Sequence, residues 1–152
     1  MREEARKPLL SVHAGGHHAG IPLASVREIM RPLPIASVAG APPFVLGLAV
    51  IRGVSVAVVD LGALLGEAGE RMPFGRFVRL ELGARSIALA VQAVTGLVEV
   101  TAASVAAMPP LLSRAAGKLV ERLALEDGEL LLVLETARLV AELPALQAEA
   151  SA

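Results

Sequence analysis

A chain of 152 residues can bury about two-thirds of its unfolded surface, enough for one domain or two small ones without metals or staples. Its 14 basic and 15 acidic residues leave a net charge of −1, which gives no electrostatic footprint for nucleic acid or an anionic membrane. With no cysteine the chain forms neither a disulfide framework nor a thiolate metal site, and with 55% hydrophobic but only 2% aromatic residues its core must come from Val, Leu, Ile and Ala.

Residues 1–7 alternate charge without an apolar period and read as a solvated start. No long apolar segment with a cleavage site follows them, so no secretory signal is expected and the protein is expected to stay inside the cell. Leu9 to Val12 reads as a short strand, Ala14-Gly15-Gly16 as a hairpin turn and Ala19 to Leu23 as the return. The turn region carries His13, His17 and His18, but no acid or cysteine stands near in sequence, and His17 and His18 face opposite ways on a strand. They read as loop histidines, and no metal or cofactor is expected.

Ala24 to Met30 fits either a helix, through Val26, Ile29 and Met30, or a strand, because Pro32 and Pro34 force an extended exit. Ile35 to Val38 is expected to be a strand. The longest uncharged run, Leu33 to Ile51, is broken by Pro34, Gly40, Pro42, Pro43 and Gly47, so it is not a membrane-spanning helix.

Gly40 to Gly66 is the most informative stretch. Pro42-Pro43 makes a loop that delivers Phe44, then Leu48 to Ile51 and Val54 to Val59 form a hairpin across Arg52-Gly53. In the second strand Val54, Val56 and Val58 alternate with Ser55, Ala57 and Val59, so both faces are expected to be covered. Asp60 is placed to cap a short helical turn over Leu61, Leu64 and Leu65 that ends at Gly66.

Glu67 to Gly75 is polar and contains Pro73, marking a boundary between subdomains. Arg76 to Leu82 alternates as a half-buried strand, Gly83-Ala84-Arg85 turns it, and Ser86 to Ala93 returns buried. Gly96 punctuates before Leu97 to Val100. Thr101 is expected to cap a helix over Ala102 to Ala107, and Leu111 to Leu119 is weakly helical. Leu123 to Leu125 and Leu130 to Leu134 form a hairpin across Glu126-Asp127-Gly128, and Thr136 caps a last helix through Leu143. Many short strands with Gly/Pro turns, repeated in outline in the two halves, imply an all-β fold of two small packed barrels.

Catalytic constellations are poorly represented. No serine lies in a G-x-S-x-G turn and no histidine lies beyond position 18, so a triad would have to be built from the first hairpin. The lone Gly117-Lys118 pair lacks the rest of a phosphate loop.

Gly47, Leu48, Ile51, Arg52, Gly53, Val58, Val59, Asp60 and Leu61 fall in register with a G-V-I-N-L-R-G strand and a V-V-D-L strand end, a pattern that resembles the CheW-like domain family. Gly20 to Ile29 is similar to the family's G-I-x-I-x-x-V-x-E-I, Val91 to Gly96 to its V-D-x-V-x-G, and Asp127 to Glu135 to its closing strand, so the resemblance covers roughly residues 9 to 140. It implies two SH3-like five-stranded β-barrels with short helices and a C-terminal helix, divided here as 8–72 and 73–143, with 1–7 and 144–152 as weakly ordered tails. It also implies a non-catalytic adaptor in the cytoplasm, at receptor clusters, that binds the signalling tip of methyl-accepting chemoreceptors and couples it to the regulatory domain of the histidine kinase CheA.

Carried over residue by residue, the resemblance places Glu28 and Arg52 near the partner-binding region, where they could pair. It has Leu23, Val26, Arg76, Phe77 and Ala88 line a groove between the barrels for the receptor tip. The chain departs from the pattern at Val50 for Asn, Gln92 for Asp and Ala19 for an aromatic, all three expected to be internal. It departs also at Glu121-Arg122, where a glycine is more usual and where bulk and charge would hinder kinase docking. That last change is the one sequence feature behind a second reading, an accessory protein that occupies receptors without recruiting kinase and limits array formation; the coupling adaptor is the favoured reading. A third reading, of a different class, is a small β-barrel enzyme or ligand carrier with a site made of His13, His17 and His18.

Overall fold

The computed structural model describes residues 7–66, 72–100, 105–106, 119–126 and 128–142. The chain starts with an antiparallel hairpin, β1 (Lys7–Ala14) and β2 (His17–Pro22), in which Lys7, expected in the tail, is already part of the strand. A single 3-10 turn at Leu23–Ser25 redirects it into β3 (Val26–Met30), so the ambiguous Ala24 to Met30 stretch is mainly strand. Here the apolar residues at helical spacing are outweighed by pairing with a neighbouring strand and by the prolines that follow.

The central hairpin is β4 (Val45–Ile51) and β5 (Val54–Asp60), joined by Arg52-Gly53, both at positive φ (50° and 79°). Such a turn matches the twist of the strands it joins. Asp60 then caps α1 (Leu61–Leu65) as expected: its Oδ1 accepts the Ala63 N–H at 3.1 Å, and Gly66 ends the helix in the left-handed region. The second half contributes β6 (Arg76–Leu82), β7 (Arg85–Val91), β8 (Ala93–Val100), β9 (Val105–Ala106), β10 (Val120–Glu126), β11 (Glu129–Leu134) and the short helix α2 (Ala137–Glu142).

These strands form two sheets, a six-stranded one in the order β8-β1-β2-β11-β10-β9 and a five-stranded one in the order β3-β6-β7-β5-β4. The chain is all-β with short helices, yet the sheets do not follow the expected division at 72/73. β6 and β7 of the second half join β3 to β5, while β1 and β2 of the first half join β8 to β11. Two parallel junctions, β5 with β7 and β2 with β11, tie the halves together. Pairings of this kind, made between strands distant in sequence, leave no local signature.

Three further expectations are corrected. Ile35 to Val38 is not a strand, since only Ala36 bridges Leu48. Gly96 lies inside β8, where Thr95 is the extra residue of a bulge against Ser11 and Val12. Val105 and Ala106, expected in a helix, pair with Ala124 and Leu123 as β9. The remainder of that helix, the 111–118 part of the weak helix and the 144–152 tail lie outside the described residues.

The main core lies between the sheets and takes Leu10, Val12 and Ile21 from one side and Val59, Val78, Leu80, Leu89 and Val91 from the other, together with Leu61, Leu64 and Leu65 of α1. A smaller core on the far face of the five-stranded sheet joins Ala49, Ile51, Val56, Val58, Phe77, Ala88 and Ala90, with Met30, Leu33 and Ile35 packed against it. Residues just past β3 thus cover that face, and the Ala36–Leu48 bridge links them to β4, the opposite edge strand. Both faces of the sheet are therefore apolar, as the β5 sequence suggested, except toward the hairpin tip, where Val54 is exposed.

Candidate partner-binding site

The curl of the five-stranded sheet positions the one charged contact that the sequence singled out. Glu28 stands on β3, and Arg52 stands in the turn of β4 and β5 at the other edge. Arg52 donates through Nε to both carboxylate oxygens (3.1 and 3.3 Å) and through Nη2 to Oε2 (2.9 Å), a side-on fork. Arg79 of β6, in register with Glu28, adds an Nη1 contact to Oε1 at 3.3 Å and anchors its own Nε on the Ser86 hydroxyl at 2.9 Å. One carboxylate therefore serves two guanidiniums.

Exposure divides the roles: the Arg52 side chain is 75% exposed, whereas Glu28 is 22% and Arg79 15%. Hydrogen bonding from Arg52 holds the Glu28 carboxyl below its ordinary range, against a smaller opposing effect of desolvation, and Arg79 adds to the lowering. The same bond to Glu28 raises Arg52 above its ordinary value. Arg52 is also the single non-glycine residue at positive φ among the described residues, so its backbone is held in a conformation that L-residues resist. The pair lines a shallow cavity of about 270 Å³ with Met30, Leu33, Val50 and Ile51.

The remaining expected residues do not share this surface. Phe77 and Ala88 are buried, 1% and 0% exposed, in the smaller core and cannot line a groove in this conformation. Val26 is half-buried against the main core, on the opposite side of β3 from Glu28, because the strand bulges between them. Leu23 is half-buried in the 3-10 turn, and Arg76 is exposed at the start of β6, donating to the Gly75 carbonyl at 2.7 Å. Glu121 and Arg122 fall in β10 where its register against β11 shifts; their side chains lie outside the described residues.

Two expectations about departures also change. Val50 is not internal but 66% exposed, next to Arg52, and Gln92 is half-buried; Ala19 is buried as expected. The pattern missed Arg79, Met30 and Leu33 as members of the site. Alternation along β3 and β6 could have placed Arg79 beside Glu28, but only with the strand pairing known.

The three histidines do not converge. His17 donates Nε2–H to the Gly66 carbonyl at 2.7 Å, whereas His13 and His18 stack on the other face with ring centroids 4.8 Å apart. Among the described residues no set of three His, Asp or Glu side chains could hold a metal ion, and no helix is long and apolar enough to cross a membrane.

A search of curated proteins finds no match. Among solved structures, the crystal structure of the scaffolding protein TtCheW from Thermoanaerobacter tengcongensis superposes with a TM-score of 0.75 at 20% identity, covering 86% of this chain and 90% of that one, which establishes a shared fold. A family model for the CheW-like domain matches residues 8–143, and the chain therefore belongs to the CheW-like domain family.

Proposed function

We infer that this protein is a non-catalytic adaptor of a chemosensory system, one that binds the cytoplasmic tip of methyl-accepting chemoreceptors and couples it to the histidine kinase CheA. Family membership supports the adaptor class, and the Glu28–Arg52 fork supports a binding surface. Arg52 stands on a two-residue turn with its side chain 75% exposed, beside exposed Val50 and half-buried Met30 and Leu33. A fixed cation next to apolar area is the composition of an interface centre with a polar edge. On this reading Arg52 touches the partner, while Glu28 and Arg79 orient it.

The second reading, an accessory protein that occupies receptors without recruiting kinase, rests on Glu121-Arg122, which coincide with the register shift in β10. Titration with a receptor-tip fragment and, separately, with the kinase regulatory domain distinguishes the two. Binding to both supports the coupling adaptor, binding to the receptor fragment alone supports the accessory protein, and binding to neither overturns both.

A further inference from the structure

Away from the Glu28–Arg52 surface, the structure assembles a polar chain on the outer face of the six-stranded sheet. Ser11 of β1, only 2% exposed, places Oγ 2.5 Å from His18 Nε2 of β2. Thr95, the bulge residue of β8, sits with Oγ1 2.7 Å from Ser11 Oγ and 3.1 Å from the Ser11 carbonyl oxygen. On its other side His18 Nδ1 lies 3.1 Å from Glu129 Oε2 of β11, an ion-pair distance rather than an aligned hydrogen bond. A Ser–His–Glu order invites comparison with a nucleophile and its base, but Ser11 is buried, and an acyl acceptor must be reachable.

We propose that His18 is a proton-operated lock on the β2–β11 junction: it takes up a proton without losing a hydrogen bond, and the added charge pairs with Glu129 to hold the two strands together.

The hydroxyls make this chemically complete. With His18 neutral, a carboxylate facing Nδ1 favours the proton there, so Nε2 accepts from Ser11 O–H, and Ser11 Oγ accepts from Thr95 O–H. With His18 protonated, Nε2–H donates to Ser11 Oγ, Ser11 O–H turns to donate to Thr95 Oγ1, and Thr95 O–H turns to the Ser11 carbonyl. Two hydroxyl rotations absorb the change on the Nε2 side, where Ser11 and Thr95 keep an acceptor for each donor.

The junction is where an extra ion pair has most effect. The six-stranded sheet is two antiparallel ribbons, β8-β1-β2 and β11-β10-β9, and their shared parallel seam has two register pairs, Leu132 with Ala19 and Val133 with Gly20. His18 and Glu129 bridge that seam near one end. The other titratable groups around it are His13, stacked on His18 from β1, and Glu126, which stands opposite Glu129 in the β10 register; His17 turns to the other face, toward Gly66. Positive charge on the stacked His13 ring would repel positive charge on His18, and the Glu129 carboxylate would attract it.

Hydrogen exchange at the seam amides of Ala19, Gly20, Leu132 and Val133, expressed as protection relative to intrinsic rates, tests the lock between pH 8 and pH 5. Protection is expected to rise about two- to fivefold toward pH 5, the range of a partly exposed ion pair. Glu129→Gln, on a side chain 65% exposed and so safe for folding, is expected to abolish the rise, and His13→Gln to leave it intact or enlarge it. Protection that is flat with pH, or a rise that persists in Glu129→Gln, overturns the proposal. Nitrogen-15 spectra of the ring add a second arm: neutral His18 is expected to carry its proton on Nδ1, and a proton on Nε2 would sink the relay.

Discussion

Arg52 meets Glu28 from the opposite edge of the same sheet, Nη2 to Oε2 at 2.9 Å, so the ion pair also reports how far that sheet curls. If Arg52 is the contact and Glu28 its support, their substitutions separate. Arg52→Ala is expected to weaken receptor-fragment binding about tenfold or more, as loss of an interface arginine commonly does. Thermal unfolding should change little, because an exposed ion pair contributes little to stability. Exchanging the charges, Glu28→Arg with Arg52→Glu, is not expected to restore binding, because the contacting cation is lost from position 52 and Arg79 would face an arginine at position 28. Calorimetric titration beside a melting curve decides it, and rescue by the exchange would remove Arg52 as the contact.

Acid should act on the same site through Glu28. Its carboxyl is held below the ordinary range, chiefly by the Arg52 hydrogen bond, so the contribution of the pair is fully present above that range and fades as pH falls through the lowered value. Removing Arg52 lets the carboxyl rise, because Arg79 remains but desolvation still opposes the charge. Carbon-13 titration of the Glu28 carboxyl is therefore expected to show a midpoint at higher pH in Arg52→Ala than in the parent protein. An unchanged midpoint would mean that the fork does not form in solution.

The turn conformation gives a second way to separate binding from folding. Because Arg52 has φ of 50°, a residue tolerant of the left-handed region relieves backbone strain that alanine retains. Arg52→Gly and Arg52→Ala should lose binding equally, while the glycine variant melts at the higher temperature. Equal melting temperatures would show that the turn relaxes when the guanidinium is gone.

Local chemistry was legible in the sequence and distant pairing was not. Asp60 as a cap and Arg52-Gly53 as a turn follow from residues within one or two turns of chain, and both stand in the structure; β6 is a strand as expected, but Phe77 and Val78 are both buried, so it is not half-buried. The Glu28–Arg52 pair was legible through family resemblance, since nothing nearby in sequence says that two sheet edges meet. Phe77 and Ala88 were misplaced because a strand pattern tells which residues share a face but not that Met30, Leu33 and Ile35 return to cover it. The Ser11–His18–Glu129 chain was out of reach for the same reason: β2 and β11 are joined by a parallel pairing between opposite ends of the chain.

Burial of Phe77 yields a prediction opposite to that of a groove residue. Phe77→Ala removes the largest side chain of the smaller core, and truncations of this kind cost about 3–5 kcal/mol. Denaturant melts should show that loss, and receptor binding should fail only in proportion to the unfolded fraction. Phe77→Leu, which keeps most of the volume, should bind normally. A Phe77→Leu protein that is folded yet fails to bind would return Phe77 to the interface.

Gln92 stands where the family pattern has an aspartate, and the structure gives the amide a use an acid cannot match. Its Oε1 accepts the Gly15 N–H at 2.8 Å while its Nε2 donates to the Met72 carbonyl at 3.1 Å, so one side chain joins the β1–β2 turn to the segment that leads into β6. An ionised aspartate only accepts, and it is one methylene shorter. Gln92→Asp is therefore expected to destabilise by about 1–2 kcal/mol, through the lost donor and the Met72 carbonyl left facing a carboxylate. Gln92→Glu should lie close to it, since the extra reach restores the bond to Gly15 but not the donor. Urea denaturation of both variants measures the difference, and a Gln92→Asp protein as stable as the parent would mean that this strut contributes nothing to folding.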